Sequence, residues 1–123
     1  MPLIDPLGLS FQQLIDVFPF HIALDLDLKI TQVGRIIDRI YPCPLINTSL
    51  HEHFVIERPK STLTTEAIHK KINALFLLNS KDLPLPLKGQ MIPLLNQAGF
   101  LFLCSPSIIH AEQLGELGIK LKD

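Results

Sequence analysis

The sequence predicts an α+β domain with a five-stranded antiparallel sheet, helices on one face and a helical extension at the N-terminus. Three observations carry this. Apolar residues alternate with polar ones from Phe20 to Thr31, which is strand periodicity; a helical stretch then separates that region from three further strand-like runs; and residues 9–17 carry Phe11, Leu14, Ile15 and Phe18 at helical spacing. The chain has 123 residues, enough for one domain.

Taken in order, Ser10 suits the N-cap of the first helix and Pro19 stops it. The alternation that follows is longer than one short strand needs, and Asp25 and Asp27 favour a turn, so the segment reads as a β-hairpin. Gly34 opens a short helix over 35–41, with Ile36, Ile37 and Ile40 on one side. Ser49 and Glu52 have the capping-box spacing before a second helix expected to hold Leu50 and Phe54 and to close at Pro59. Thr64 caps a third, over 65–72. Strands are expected at 75–78, 87–95 and 100–104, the last two joined through Asn96 and Gly99. Ser107 then caps a final helix running through Leu117 and ended by Gly118. This order of elements is the layout of a PAS domain.

Composition excludes several functions. No apolar run exceeds about five residues, far short of the ~20 that cross a bilayer, and the first basic residue is Lys29, so the start lacks the charged region of a signal peptide. Eleven basic against twelve acidic residues, with no Trp and one Tyr, argue against a nucleic-acid partner. Cys43 and Cys104 are far apart in sequence and form no CxxC motif, which fits a reduced cytoplasmic chain. Apolar residues make up 47% and charged ones 19%, with a mean hydropathy of +0.32. A domain this small with such an aliphatic surplus is expected to hide part of it against another chain or domain.

Five strings stand in register: Phe18-Pro19-Phe20-His21-Ile22, LDLDLKITQVG from Leu24, EAIHKKIN from Glu66, LKGQMI from Leu87 and LFLCSPS from Leu101. Together they resemble the haem-NO-binding-associated (HNOBA) domain, the PAS-like module of soluble guanylate cyclase subunits and of related bacterial signalling proteins such as histidine kinases. The resemblance covers about residues 10–121. It implies a dimerisation and signal-relay module, with a haem-NO-binding domain upstream and a coiled coil and catalytic output downstream. It also implies that Asp123 lies where the family continues into its linker, so the chain is expected to be a fragment of a longer receptor. Three positions depart from the family pattern. Pro93 replaces an aromatic residue and is expected to end, bulge or edge its strand. Lys71 occupies the family's histidine position while His69 stands at an apolar one, so no histidine role transfers to that helix.

Candidate chemistry is sparse. His51 and His53 flank Glu52, but in a helix residues i and i+2 point about 200° apart, so a shared metal is disfavoured against a solvated helix. His69 borders an apolar helix face, where axial haem ligation competes with an ordinary half-buried or surface histidine. Asp25 and Asp27 read as turn residues rather than an acid–base pair, Cys104 as a small buried hydrophobe, and Cys43 as exposed without an activating neighbour. No cofactor, metal or catalytic residue is assigned. The segments are read as an N-terminal dimerisation helix (1–18), a PAS-like core (19–107), and a C-terminal helix with the start of a linker (108–123). The expected homodimer interface comprises Phe11, Leu14, Ile15, Phe18, Phe20, His21 and Ala23, with neither nucleic acid nor membrane as partner. The competing reading is a PAS domain that senses a small ligand or cofactor held between helices and sheet.

Overall fold

The computed structural model describes Gln13 and residues 17–60, 62–95 and 98–107. Within these the order is β1 (His21–Leu24), β2 (Ile30–Val33), α1 (Arg35–Ile40), α2 (Leu50–His53), β3 (Phe54–Arg58), α3 (Thr65–Lys70), β4 (Leu75–Ser80), β5 (Pro86–Pro93) and β6 (Phe100–Pro106). The α+β class holds, but the sheet has six strands rather than five, in the order β2-β1-β6-β5-β4-β3, every neighbouring pair antiparallel.

The additional strand is β3. The segment after Ser49 was expected to stay helical through Phe54, but α2 ends at His53 and Phe54 opens a strand paired with β4. Val55 and Ile56 are β-branched, which stiffens χ1 and suits a pleated surface better than a helix. Pro59 therefore closes a strand, not a helix. Helix α3 is shorter than expected, because Lys71 leaves helical geometry (φ −115°, ψ 25°). Its cap is as expected: the Thr64 side chain accepts the Ala67 amide at 3.2 Å. Strand β5 ends at Pro93, its last partner position opposite Phe100. The expected first helix is described only at Gln13 and Val17, and the final helix and Asn96 lie outside the described residues.

The β1–β2 turn is tied by one side chain. The Asp25 carboxylate accepts the amides of Asp27 and Lys29, both at 2.9 Å, while Leu28 takes a left-handed conformation (φ 60°). Left-handed backbone costs a non-glycine residue roughly 1–2 kcal/mol. Burying the leucine side chain offsets that, since it gains about 1.5–3 kcal/mol and Leu28 is 6% exposed. The β1–β2 register slips between Ala23 and Leu24, so Thr31 is passed over. That bulge lets both Ile30 and Val33 reach the core despite their odd spacing.

Alternation sorts the sheet into two faces. The inner face carries Ile22, Leu24, Phe76, Leu78, Leu87, Met91, Phe100 and Phe102, which form one apolar cluster with Ile37, Leu50 and Ile68 of the helices and with Leu45 and Phe54. The inward positions are thus filled by side chains of the chain itself. The far edge of β2 is covered by the connection before α2: Ile30 donates to the Thr48 carbonyl (2.8 Å), and Asn47 donates to that of Ile30 (2.8 Å).

Gly34 marks a close crossing of the backbone. A β-carbon there would collide with the Pro19 carbonyl and lie 2.8 Å from that of Phe18. Gly34→Ala is therefore expected to destabilise the domain by about 1–3 kcal/mol in urea unfolding, as overpacking does, whereas alanine at exposed Lys60 should stay within about 0.5 kcal/mol.

Candidate functional site

The outer face of the sheet is built as cross-strand rows. Gln32, Ala23, Leu101 and Ile92 form one row, and His21, Leu103, Gln90 and Leu75 the next. Leu75 is 52% exposed, Ile92 37% and Val55 on β3 49%, while Leu101, Leu103 and Leu77 are half-buried. Antiparallel sheets commonly solvate one face with polar side chains; here aliphatic residues make up three of the four positions in the first row and two of four in the second. Of the expected interface residues, Ala23 lies in this face, and Phe18 and Phe20 are half-buried just before it. Phe11, Leu14 and Ile15 lie outside the described residues.

His21 departs from its expected place in a contact surface, because it is fully buried (0%) and its ring bonds within its own chain. Nδ1 donates to the Phe18 carbonyl at 2.6 Å and Nε2 accepts from the Gln32 amide at 2.9 Å. Burial disfavours the charged ring and lowers its pKa, outweighing the opposing pull of the Phe18 carbonyl. The backbone beside it is fully engaged. The Pro19 carbonyl accepts from Ile36 (3.2 Å), that of Phe20 from Cys104 (3.2 Å), and that of His21 from Gly34 (2.8 Å).

A polar cluster that the sequence reading passed over joins α2 to the β4–β5 connection. The Tyr41 hydroxyl, on a residue 7% exposed, donates to Asp82 Oδ2 at 2.8 Å and lies 2.6 Å from Ser80 Oγ, which also accepts the amides of Asp82 and Leu83. His53 Nδ1 meets the same Asp82 oxygen at 2.8 Å. Burial raises the Tyr41 pKa well above the usual phenol range, and the His53 hydrogen bond, followed by that of Tyr41, lowers that of Asp82. The members are 41 residues apart in sequence at most, with no shared motif; the only local signal was the Ser80–Asp82 spacing of a side-chain turn. Chemically the cluster is a strap. Its serine faces the tyrosine hydroxyl and two backbone amides, so it lacks the nucleophile–base pairing that acyl transfer needs.

The remaining candidates separate. His51 is exposed and its carbonyl takes the Lys81 ammonium at 2.6 Å. His69 is exposed and its ring lies on Phe100 with centroids 4.9 Å apart, covering the core rather than lining a cavity. Asp25 serves the turn, and Asp27 sits exposed within it. Cys43 is exposed; Cys104 is half-buried, with its thiol pKa raised by burial and Sγ directed at the Phe20 carbonyl. Among the described residues no three His, Cys, Asp or Glu side chains are placed to share a metal, and no helix is long and apolar enough to cross a membrane.

Tyr41→Phe removes the hydroxyl that joins Ser80 to Asp82 and is expected to cost about 1–3 kcal/mol of unfolding free energy. Asp82 is held below its ordinary pKa of 3.8 in the folded state, so its stabilisation is present above that value and lost as pH falls through the folded one. The stability gap between wild type and Asp82→Asn, followed by urea unfolding, should therefore shrink as pH is lowered below 3.8.

Comparison with known proteins places these features in a family. The model described as "Heme NO binding associated" matches residues 7–85 and 79–123. Rat guanylate cyclase soluble subunit beta-2 is 33% identical over 119 residues, covering 88% of this chain and 17% of the relative. The human beta-2 subunit is 31% identical (88% and 19%), and the bovine alpha-1 subunit 32% identical over 117 residues (86% and 17%). The chain thus spans less than a fifth of the length of these relatives. With its family model matched over most of its length, the chain belongs to the haem-NO-binding-associated domain family.

Proposed function

We propose that this domain is a non-catalytic, PAS-like dimerisation and signal-relay module of a larger cytoplasmic signalling protein, of guanylate cyclase or histidine kinase type. Its neighbours in the parent are a haem-NO-binding domain upstream and a coiled coil with an output domain downstream. Leaving aside β3, five antiparallel strands remain in the order β2-β1-β6-β5-β4, a strand count that supports the PAS-like assignment. The named relatives are cyclase subunits, which supports a regulatory place in such an enzyme.

The observation that carries the pairing is the aliphatic outer face, with Leu75, Val55 and Ile92 each more than a third exposed. A second copy laid across Ala23, Leu101 and Leu103, joined by the stripe Phe11, Leu14, Ile15 and Phe18 that the sequence spacing defines, would bury the ~800 Å² per partner of an ordinary specific interface. A rigid pair would hold the outgoing segments in register, and an upstream event that repacked it would shift them. The ligand-sensing alternative needs space between helices and sheet, where Phe54, Phe76, Phe100 and Phe102 are buried.

Sedimentation equilibrium tests the pairing. The wild-type chain should dimerise at micromolar concentration, and Phe11→Asp with Leu14→Asp, or Ala23→Asp alone, should weaken association at least about tenfold, since a charge desolvated at an apolar contact costs more than 1.4 kcal/mol. A wild-type chain that stays monomeric at high micromolar concentration overturns the pairing, and a bound chromophore in the purified domain would overturn the relay reading in favour of ligand sensing.

A further inference from the structure

We propose that His21 is a proton-sensitive latch on the segment leading into β1: its neutral ring ties the Phe18 carbonyl to Gln32 on β2, and a second proton on the ring undoes that tie. A carbonyl oxygen can only accept, so Nδ1, 2.6 Å from the Phe18 oxygen, carries a hydrogen. Gln32 presents its amide nitrogen, a donor, 2.9 Å from Nε2, so Nε2 bears a lone pair. Both ring nitrogens are thereby committed, and the ring is neutral in the Nδ1–H form.

A proton added at Nε2 would face the Gln32 amide nitrogen donor to donor. Restoring the hydrogen bond requires that amide to turn its oxygen inward, and the described groups around the ring would offer the cation no counter-charge. The groups around the ring, taken element by element, are Phe18, Pro19 and Phe20 before β1, Gln32 and Val33 on β2, Leu103 on β6, and Gln90 beyond it on β5. None is charged. On β1, β2, β5 and β6 the one charged residue is Lys88 on β5, and Arg35 opens α1; both are exposed and cationic, so neither would relieve the imidazolium. The one other titratable side chain on those strands, Cys104, has its Sγ turned to the Phe20 carbonyl.

The consequence is local, because the three following carbonyls are held by backbone amides of Ile36, Cys104 and Gly34, which do not titrate. Among these contacts the Phe18 carbonyl is held by the His21 ring alone, whereas that of Phe20, which also meets Cys104 Sγ at 3.4 Å, keeps the Cys104 amide. Acid therefore releases the Phe18 carbonyl while β1 keeps its place between β2 and β6. The sign follows from burial: the folded ring resists protonation below the ordinary value of 6.5 and the unfolded ring does not, so this stability is intact above 6.5 and is lost as pH falls below it. While the folded ring stays neutral, each further pH unit shifts the folding equilibrium against the native state by up to about tenfold. The latch needs no second copy, so it stands or falls independently of dimerisation.

Nitrogen-detected NMR of the imidazoles, combined with the carbon shift of the Phe18 carbonyl, tests this on the intact chain, with His51, His53, His69 and His110 assigned as internal comparisons. The expected result is an Nδ1–H tautomer for His21, a titration midpoint below 6.5, and a Phe18 carbonyl shift that moves with the same midpoint. His21→Asn, which keeps a side-chain N–H but cannot titrate, should make that carbonyl insensitive between pH 5 and 8. An Nε2–H tautomer, a midpoint at or above 6.5, or a Phe18 carbonyl that ignores the His21 titration each overturns the latch. Should His21→Asn fail to fold, the wild-type measurements decide alone.

Discussion

The structure depends on the pairing of β1 with β6. His21 lies opposite Leu103 and Leu24 opposite Phe100, so the two ends of the described domain meet at the middle of the sheet. Closing so long a loop is entropically expensive, though the cost grows only slowly with length. What offsets it is the burial that the pairing creates. Ile22 beside Phe102, and Leu24 beside Phe100, place four fully buried side chains on the inner face. Without this seam, the β1–β2 hairpin and the β4–β5–β6 meander would be separate ribbons, each too small to exclude water from both sides.

The same seam fixes what the other face offers. Register couples the two faces, because each inward phenylalanine forces its neighbour outward. Phe100 and Phe102 inward set Leu101 and Leu103 outward, and Phe76 inward sets Leu75 and Leu77 outward. The aliphatic outer face is thus not a by-product of a greasy composition spread at random. It is a second apolar layer, aligned in rows across four strands; Gln32 and Gln90 interrupt it, and Lys88, opposite Leu77, places one exposed charge beside it. The rows of Leu101 and Leu103 themselves carry no carboxylate, ammonium or guanidinium, so they can be desolvated without stranding an ion, which distinguishes them from the Glu57–Arg58 end of β3.

Legibility in the sequence followed the range of the interactions. Alternation and turn chemistry are local, so the hairpin, α1, the Thr64 cap and the three late strands were visible, with ends displaced by one or two residues. Strand β3 was hidden because a four-residue helix and a five-residue strand abut at His53 and Phe54, too short for either period to declare itself. The Tyr41 strap was hidden for a different reason. Tyr41, His53, Ser80 and Asp82 sit on separate elements, and only the folded sheet brings their side chains together. His21 was correctly placed on the outer face by alternation, yet period two says nothing about whether that face is covered at a given point, and there it is.

The guarded margin at β2 has a consequence for solubility. Residues 45–50 already take the hydrogen bonds that an incoming strand would seek there, through Thr48, Asn47 and the Lys29–Ser49 bridge. Lateral growth of this sheet into ribbons is left to the opposite margin, where Glu57 and Arg58 would set like charges against one another in a parallel stack. The architecture thus leaves both of its rims poorly suited to accept a further strand.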